Sequence, residues 1–276
     1  MPARYFLLNE ELKDLNQPFS MDSVLMDLPF RLVEKIWFCK GHIPLLEESL
    51  FLLQEQAEAI CQELPDSLHK LSETGREIHR LINKNKAFHS GMICVSVLYG
   101  KSTPGLIITL IPSEANQFEL KKKSLLLAFS ESVKCSSNRY NRYRFFNIPL
   151  WETVQYSASR LKADGLIILN EKKEIVEYPE ANLFFIKENA IYTPSPETGC
   201  YLDPMREKIL EAAVNLGFYT VESSKLTNRN ILNMDEAFIA GQSQAMQKIM
   251  GIGMKRFTHR KTLVLHEKIN AMILPG

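Results

Sequence analysis

The second half of the chain is a succession of short apolar runs broken by turns, and this restricts its fold more than any other feature. Gly165–Leu169 (GLIIL), Leu183–Lys187 (LFFIK), Ala190–Tyr192, Tyr219–Glu222 and Glu236–Ala240 (EAFIA) each have strand length and strand composition. Asn170–Lys173 reads as a turn and Glu174–Glu177 as a short strand; Leu125–Phe129 is a further strand. Two helices interrupt the series. One is Trp151–Leu161. The other is Asp203–Leu216, where Met205, Ile209, Ala212 and Ala213 share a face and Gly217, tolerant of positive φ, ends the helix. Gln244–Gly251 reads as a short helical or turn segment.

The first half mixes both element types. Residues 4–8 and Arg31–Cys39 have strand character, with Asn9–Gln17 between them as a loop. From Leu45 to Leu64, Leu46, Leu50, Leu53, Ala57 and Ile60 recur at helical period, and Pro65 is the stop. Leu68–Asn85 gives a second helix with Leu71, Ile78 and Ile82 on one face. Strands at Gly91–Leu98 and Leu106–Ile111 flank a turn at Gly100–Gly105. The polar, aperiodic Pro112–Ser124 marks a boundary, giving domains 1–115 and 121–276.

Composition narrows the function classes. A net charge of +1 over 276 residues offers no attraction to nucleic acid or to acidic membranes, and Lys121–Lys123 reads as a solvated linker. No apolar run reaches the roughly 18 residues of a membrane span. The N-terminus turns acidic before a signal-like stretch develops. The five cysteines form no C-x-x-C pair and their number is odd, which fits free thiols in a reducing compartment; the expectation is a cytoplasmic protein. The six histidines have no metal-ligand spacing, and His42, His79 and His89 read as surface or loop residues. Cys94 reads as a small buried hydrophobe; Tyr140, Tyr143, Phe145, Phe146, Trp37 and Trp151 read as core aromatics, with pocket lining as the other possibility.

Between Ala163 and Ile249 several segments occur in a telling order: ADGLIIL, IVEYPEANLFFIK, IYTPSPETGCYLDPMREKIL and MDEAFIAGQSQAM. This set resembles the second half of the class IV aminotransferases, a family of pyridoxal-phosphate enzymes that includes branched-chain and D-amino acid aminotransferases and aminodeoxychorismate lyase. A weaker likeness extends through FRLVEKIWFCKGHIPLLEESLFLL in the first half. The resemblance implies an α+β, D-amino acid aminotransferase-like fold, with a small α/β N-terminal domain and a larger C-terminal domain on a curved, barrel-like sheet. It also implies pyridoxal 5′-phosphate in the cleft between the domains, an amino acid or other small anionic ligand, and a homodimer.

Such a cofactor needs an imine-forming lysine, a carboxylate at the pyridine nitrogen, and amides and cations at the phosphate. By the resemblance, Glu177 stands at the pyridine position, the other reading being a surface strand-end glutamate. Arg206 closes the first phosphate element, beside Met205, but Asp203-Pro204 brings a negative charge and a residue without an N–H. Gly241, Gln242 and Ser243 match the second phosphate turn, and Leu52 falls where the family has an arginine. The lysine of the family's K-x-L-N strand end is Arg144 here: Asn147 keeps the register, and Asp164 follows at the family's spacing. Arginine stays charged and forms no ordinary imine. Lys162, the nearest lysine downstream, is expected at a helix end away from the site. The sequence therefore leaves two functions open: an enzyme of this family, with Arg144 as its burden, or a non-catalytic member that binds a small anion through Arg144 and Arg206 or serves as a dimeric scaffold.

Overall fold

A computed structural model describes residues 3–16, 30–99 and 104–274. The chain forms two compact units, Met1–Gln117 and Phe118–Gly276. In the first, β1 (Tyr5–Leu8), β2 (Glu11–Asp14), β3 (Phe30–Cys39), β4 (Ser90–Tyr99) and β5 (Gly105–Ser113) make a sheet in the order β2-β1-β5-β4-β3. Helices α1 (Leu46–Ala59) and α2 (Leu71–Lys84) lie between β3 and β4 in sequence. Side chains of β3 alternate: Leu32, Glu34 and Ile36 are buried, while Arg31 is exposed. The inward register thus carries Glu34 into the interior, where Gln56 Nε2 of α1 donates to its Oε1 at 2.6 Å.

The first unit departs from the sequence expectation in three places. Asn9–Asp14 is not a loop: Asn9 and Glu10 both have positive φ, at 46° and 68°, and form the two-residue turn that joins β1 to β2 as a hairpin. Helix α1 stops at Ala59, well before Pro65, because Cys61 enters the left-handed region (φ 56°) and the amides of Ile60 and Gln62 turn back onto Ala57 O. Leu71 of α2 is exposed, and Leu81 joins Ile78 and Ile82 on the buried face. Of the expected turn at Gly100–Gly105, Gly100–Thr103 lie outside the described residues, as does Gln17.

The second unit is built on β6 (Leu120–Lys134), β7 (Gly165–Asn170), β8 (Ile175–Glu177), β9 (Asn182–Lys187), β10 (Ala190–Pro194), β11 (Tyr219–Ser223), β12 (Glu236–Gly241), β13 (Ala245–Ile252) and β14 (Lys255–Arg256). Their order is β11-β10-β9-β12-β13-β6-β7-β8, with β14 paired to β13. Helices α3 (Arg144–Ala158), α4 (Met205–Asn215), α5 (Asn228–Ile231) and α6 (Arg260–Ile273) complete the unit. The run GLIIL is apolar throughout because both faces of β7 are covered. Ile167 packs among Leu125, Leu183 and Ile239, whereas Leu166 and Ile168 pack against Trp151 and Val154 of α3.

Here too the structure corrects particular readings. Lys121–Lys123 is not a linker but the start of the long strand β6. Residues 244–251 are not helical: β13 pairs antiparallel with β12 and parallel with β6, so sheet pairing decides the state of a locally ambiguous segment. Helix α3 begins at Arg144, well ahead of the expected start at Trp151, so Arg144 opens a helix rather than a strand end; it contains Pro149, which has no N–H to give to the helix ladder. Asp203 and Pro204 precede α4 instead of opening it. Helix α6, which the sequence reading passed over, buries Thr262, Leu265, His266, Ile269 and Ile273 on one face.

Candidate functional site

The C-terminal end of β6 defines one side of the site. Early in this strand the buried side chains are at odd positions, Leu125 and Leu127; later they are Ser130 and Lys134. The change of parity coincides with a register shift against β7 between Phe129 and Val133. An irregularity of this kind re-aims side chains, and here it sends a lysine inward: Lys134 is 3% exposed.

Lys134 meets Glu177, the last residue of β8, which is fully buried. Its Nζ lies 3.0 Å from both carboxylate oxygens and 3.4 Å from Asn141 O. Trp151 Nε1 donates to Glu177 Oε1 at 2.6 Å, and the backbone N–H of Tyr201 donates to Oε2 at 2.5 Å. An ionised carboxylate offers about four acceptor positions, and these four contacts use them. Asn147 fixes the turn ahead of α3 by donating to Asn141 O and Tyr143 O at 2.6 and 2.7 Å.

Arg144, 1% exposed, is the first residue of α3, where the helix dipole disfavours a cation. Three features offset this. Nη1 pairs with Glu180 Oε2 at 3.1 Å, Nη2 donates to Ser243 Oγ at 3.2 Å, and the guanidinium lies over the rings of Trp151 and Tyr201 at 5.6 and 5.5 Å. Those two rings meet edge to face with centroids 5.0 Å apart.

Asp203 lies two residues ahead of α4, before the Pro204 N-cap. Its Oδ1 accepts from Met205 N at 2.9 Å and from Gln242 N at 3.0 Å; Oδ2 is 3.1 Å from the same Gln242 N. Asn182 braces the segment, accepting from Asp203 N and donating to Tyr201 O. Burial pushes the Asp203 carboxyl up to about 6, against the opposing pull of the Met205 amide, the Arg144 charge and the Gln242 amide. Gly241 is confined here: a Cβ on it would stand 2.8 Å from Glu180 O and 3.2 Å from Asp203 Oδ2.

Of the residues singled out in the sequence, Arg144, Glu177, Met205, Gln242 and Ser243 come together through these shared contacts. Arg206 is buried next to them in sequence but faces elsewhere: Nη2 donates to Pro194 O and pairs with Glu222 Oε2, both at 2.8 Å, and Nη1 pairs with Glu207. Arg206 thus turns to Pro194 O, Glu222 and Glu207, whereas Arg144 turns to Glu180 and Ser243. Lys162 is exposed with φ 51° at the end of a 3-10 turn. Leu52 is half-buried on α1 in the first unit. Tyr140, Tyr143, Phe145 and Phe146 are half-buried rather than core, with Tyr140 stacked on Phe146 at 4.7 Å. Trp37 and Trp151 are buried, and Cys94 is half-buried. Sequence reasoning missed Lys134 and the polar work of Trp151; Lys134 closes a strand that already carries Lys121, Lys122, Lys123 and Glu131, so nothing local sets it apart.

An inward lysine at the end of one strand, a buried carboxylate at the end of another, and two amide-bearing turns meeting at an acidic residue describe a built polar site on a curved sheet. Residues 32–252 match the model of the amino-transferase class IV family, and the chain belongs to that family. A probable branched-chain-amino-acid aminotransferase of Rickettsia bellii is 25% identical over 251 residues, covering 84% of this chain and 83% of its own. Among solved structures, the pyridoxal-phosphate form of the branched-chain amino acid aminotransferase from Thermobaculum terrenum superposes with a TM-score of 0.84 at 16% identity, covering 99% of this chain and 94% of that one. A putative 4-amino-4-deoxychorismate lyase from Legionella pneumophila gives 0.76 at 19% identity, covering 91% and 94%. The fold expected from the sequence is therefore the fold observed. No helix among the described residues is long and apolar enough to cross a membrane.

Proposed function

We propose that this chain is a class IV aminotransferase-family protein that has lost imine-based transamination. The observation that supports this most is the setting of Arg144, which the motif spacing aligns with the family's lysine. Its guanidinium is buried, ion-paired with Glu180, hydrogen-bonded to Ser243 and covered by two aromatic rings. An arginine so held supplies a fixed positive charge and no nucleophilic amine. Arg144 therefore does not meet the cofactor's covalent requirement at this position. An anionic ligand that used Arg144 would have to displace Glu180. A dimer of this chain, implied by the family resemblance, belongs to the same reading, and light scattering on the purified protein tests it.

A second reading rests on Lys134. It brings an amine to Glu177, the carboxylate that the resemblance assigns to the pyridine nitrogen. In that reading the imine lysine has moved upstream of Arg144 and the enzyme is intact. One experiment separates the two. The protein is mixed with pyridoxal phosphate, reduced with borohydride and peptide-mapped by mass, with a known aminotransferase in parallel. The first reading expects no adduct on a defined lysine. A stoichiometric phosphopyridoxyl group on Lys134 overturns the first and supports the second, which transaminase turnover then tests.

A further inference from the structure

We propose that the chain excludes pyridoxal phosphate from this site altogether, because its own side chains occupy the partners that both ends of the molecule would use. This goes beyond the loss of the imine, since an arginine at the lysine position removes a covalent bond but leaves non-covalent binding open. It rests on the assignment of Glu177 and of the two phosphate turns made above.

At the ring end, a pyridine N–H needs an acceptor position on Glu177. The Lys134 ammonium, the Trp151 indole and the Tyr201 amide already fill both oxygens. Lys134 in turn has three acceptors for its three N–H groups: the two Glu177 oxygens and Asn141 O. The pair is internally satisfied, and a ring nitrogen would have to break it open in a buried setting, where an uncompensated charge is costly.

At the phosphate end, a dianion needs the amides at the start of α4 and in the turn after β12. Pro204 has no N–H to give. The amides of Met205 and Gln242 both point at the Asp203 carboxylate. This carboxylate is an internal anion at a helix N-terminus, the kind of place where a bound anion is stabilised. A phosphate entering there would lose these donors to Asp203 and meet its negative charge at close range. Arg206, the cation nearest in sequence, directs Nη2 to Pro194 O and Glu222 and Nη1 to Glu207, and its buried Nε alone has no hydrogen-bond partner.

The test uses pyridoxamine phosphate, which keeps the ring and the phosphate but has no aldehyde, so that binding is independent of any lysine imine. The purified full chain is examined by equilibrium dialysis and by thermal unfolding with and without this probe, since a ligand that binds only the native state raises the unfolding midpoint. The wild-type chain is expected to retain no probe and to show no rise. The double variant Lys134→Gln/Asp203→Gly, checked for its fold by near-ultraviolet circular dichroism, is expected to gain binding. Saturable binding of one probe per wild-type chain overturns the proposal. Absence of any gain in a folded double variant overturns the assignment of the block to these two side chains; should that variant not fold, the wild-type measurement decides alone. Probe binding without a borohydride adduct would sink this inference and leave the loss of the imine standing, whereas a lysine adduct would sink the latter.

Discussion

Glu177 and Asp203 are both buried carboxylates in one unit, yet the protein treats them in opposite ways. Glu177 is matched by a buried cation and two further donors. Asp203 is held by backbone amides, and the nearest charges act on it in both directions, Arg144 favouring its ionised form and Glu180 opposing it. For Asp203, burial outweighs the rest and raises the carboxyl to about 6. A carboxylate deep in a protein is thus kept by a full counter-charge, as with Glu177, or by amide dipoles at the expense of a displaced titration, as with Asp203. The two arrangements should respond differently to mutation and to pH.

The largest effect is expected from Lys134→Met, which leaves the Glu177 charge buried without its counter-ion. Removing one partner of such a pair costs about 3–5 kcal/mol, measurable as a lower denaturation midpoint in urea. The double variant Lys134→Met/Glu177→Gln should be less damaged than the single one, because the neutral amide that replaces the carboxylate has no charge to strand. Equal damage in the two would mean that packing rather than charge governs this end.

Next comes Asp203→Asn. The native carboxyl titrates near 6 and the unfolded one near its ordinary 3.8. Between these values the native state holds the proton more tightly than the unfolded state, so stability falls as pH rises. The contribution is complete below 3.8 and is lost as pH passes through about 6. Stability of the asparagine variant relative to wild type should therefore climb across that window, by about 2–3 kcal/mol at 1.36 kcal/mol per unit. A flat difference between pH 4 and pH 7 would show that Asp203 titrates normally.

The contrast between the two carboxylates also marks how far the sequence could be read. LFFIK and EAFIA became β9 and β12 because continuous apolar composition in short runs survives almost any neighbourhood. Glu177 was found through the order of motifs, and Asp203 through the oddity of an acid beside a proline. Lys134 was not found. The nearest lysine downstream of Arg144 is the exposed Lys162, whereas the buried one lies upstream, delivered by a register shift that no local pattern announces. The expected helix began at Trp151, two residues past the Pro149 that α3 in fact contains, and β13 was missed because its state is decided by β12 and β6 on either side. What was lost is in each case a pairing between distant segments.

Trp151→Phe sharpens the Glu177 side of the comparison. The ring that covers Arg144 and packs on Leu166 and Ile168 is largely kept, but the N–H to Glu177 Oε1 is removed. Loss of a donor to a buried charged group costs about 1.5–3 kcal/mol. Because Lys134 still faces both oxygens, the lower part of that range is expected, and a second-site Lys134→Met should make the two losses non-additive. Thermal unfolding of the four chains of this double-mutant cycle measures the coupling.

The smallest effect is expected from Ser243→Ala. Ser243 receives one hydrogen bond from Arg144 Nη2 at 3.2 Å, and its own hydroxyl reaches Glu180 O at a long 3.5 Å. A single hydrogen bond of this kind is worth about 0.5–1.5 kcal/mol. Arg144 would keep Glu180 and the two rings, so its position should hold and the loss should sit at the bottom of that range. Glu180→Gln removes the opposing charge instead and should cost more, since it takes the ion-pair partner away from a guanidinium buried at a helix N-terminus. If Ser243→Ala proved the more damaging of the two, the hydroxyl rather than the ion pair would be what holds Arg144, and the case that an incoming anion must displace Glu180 would fall with it.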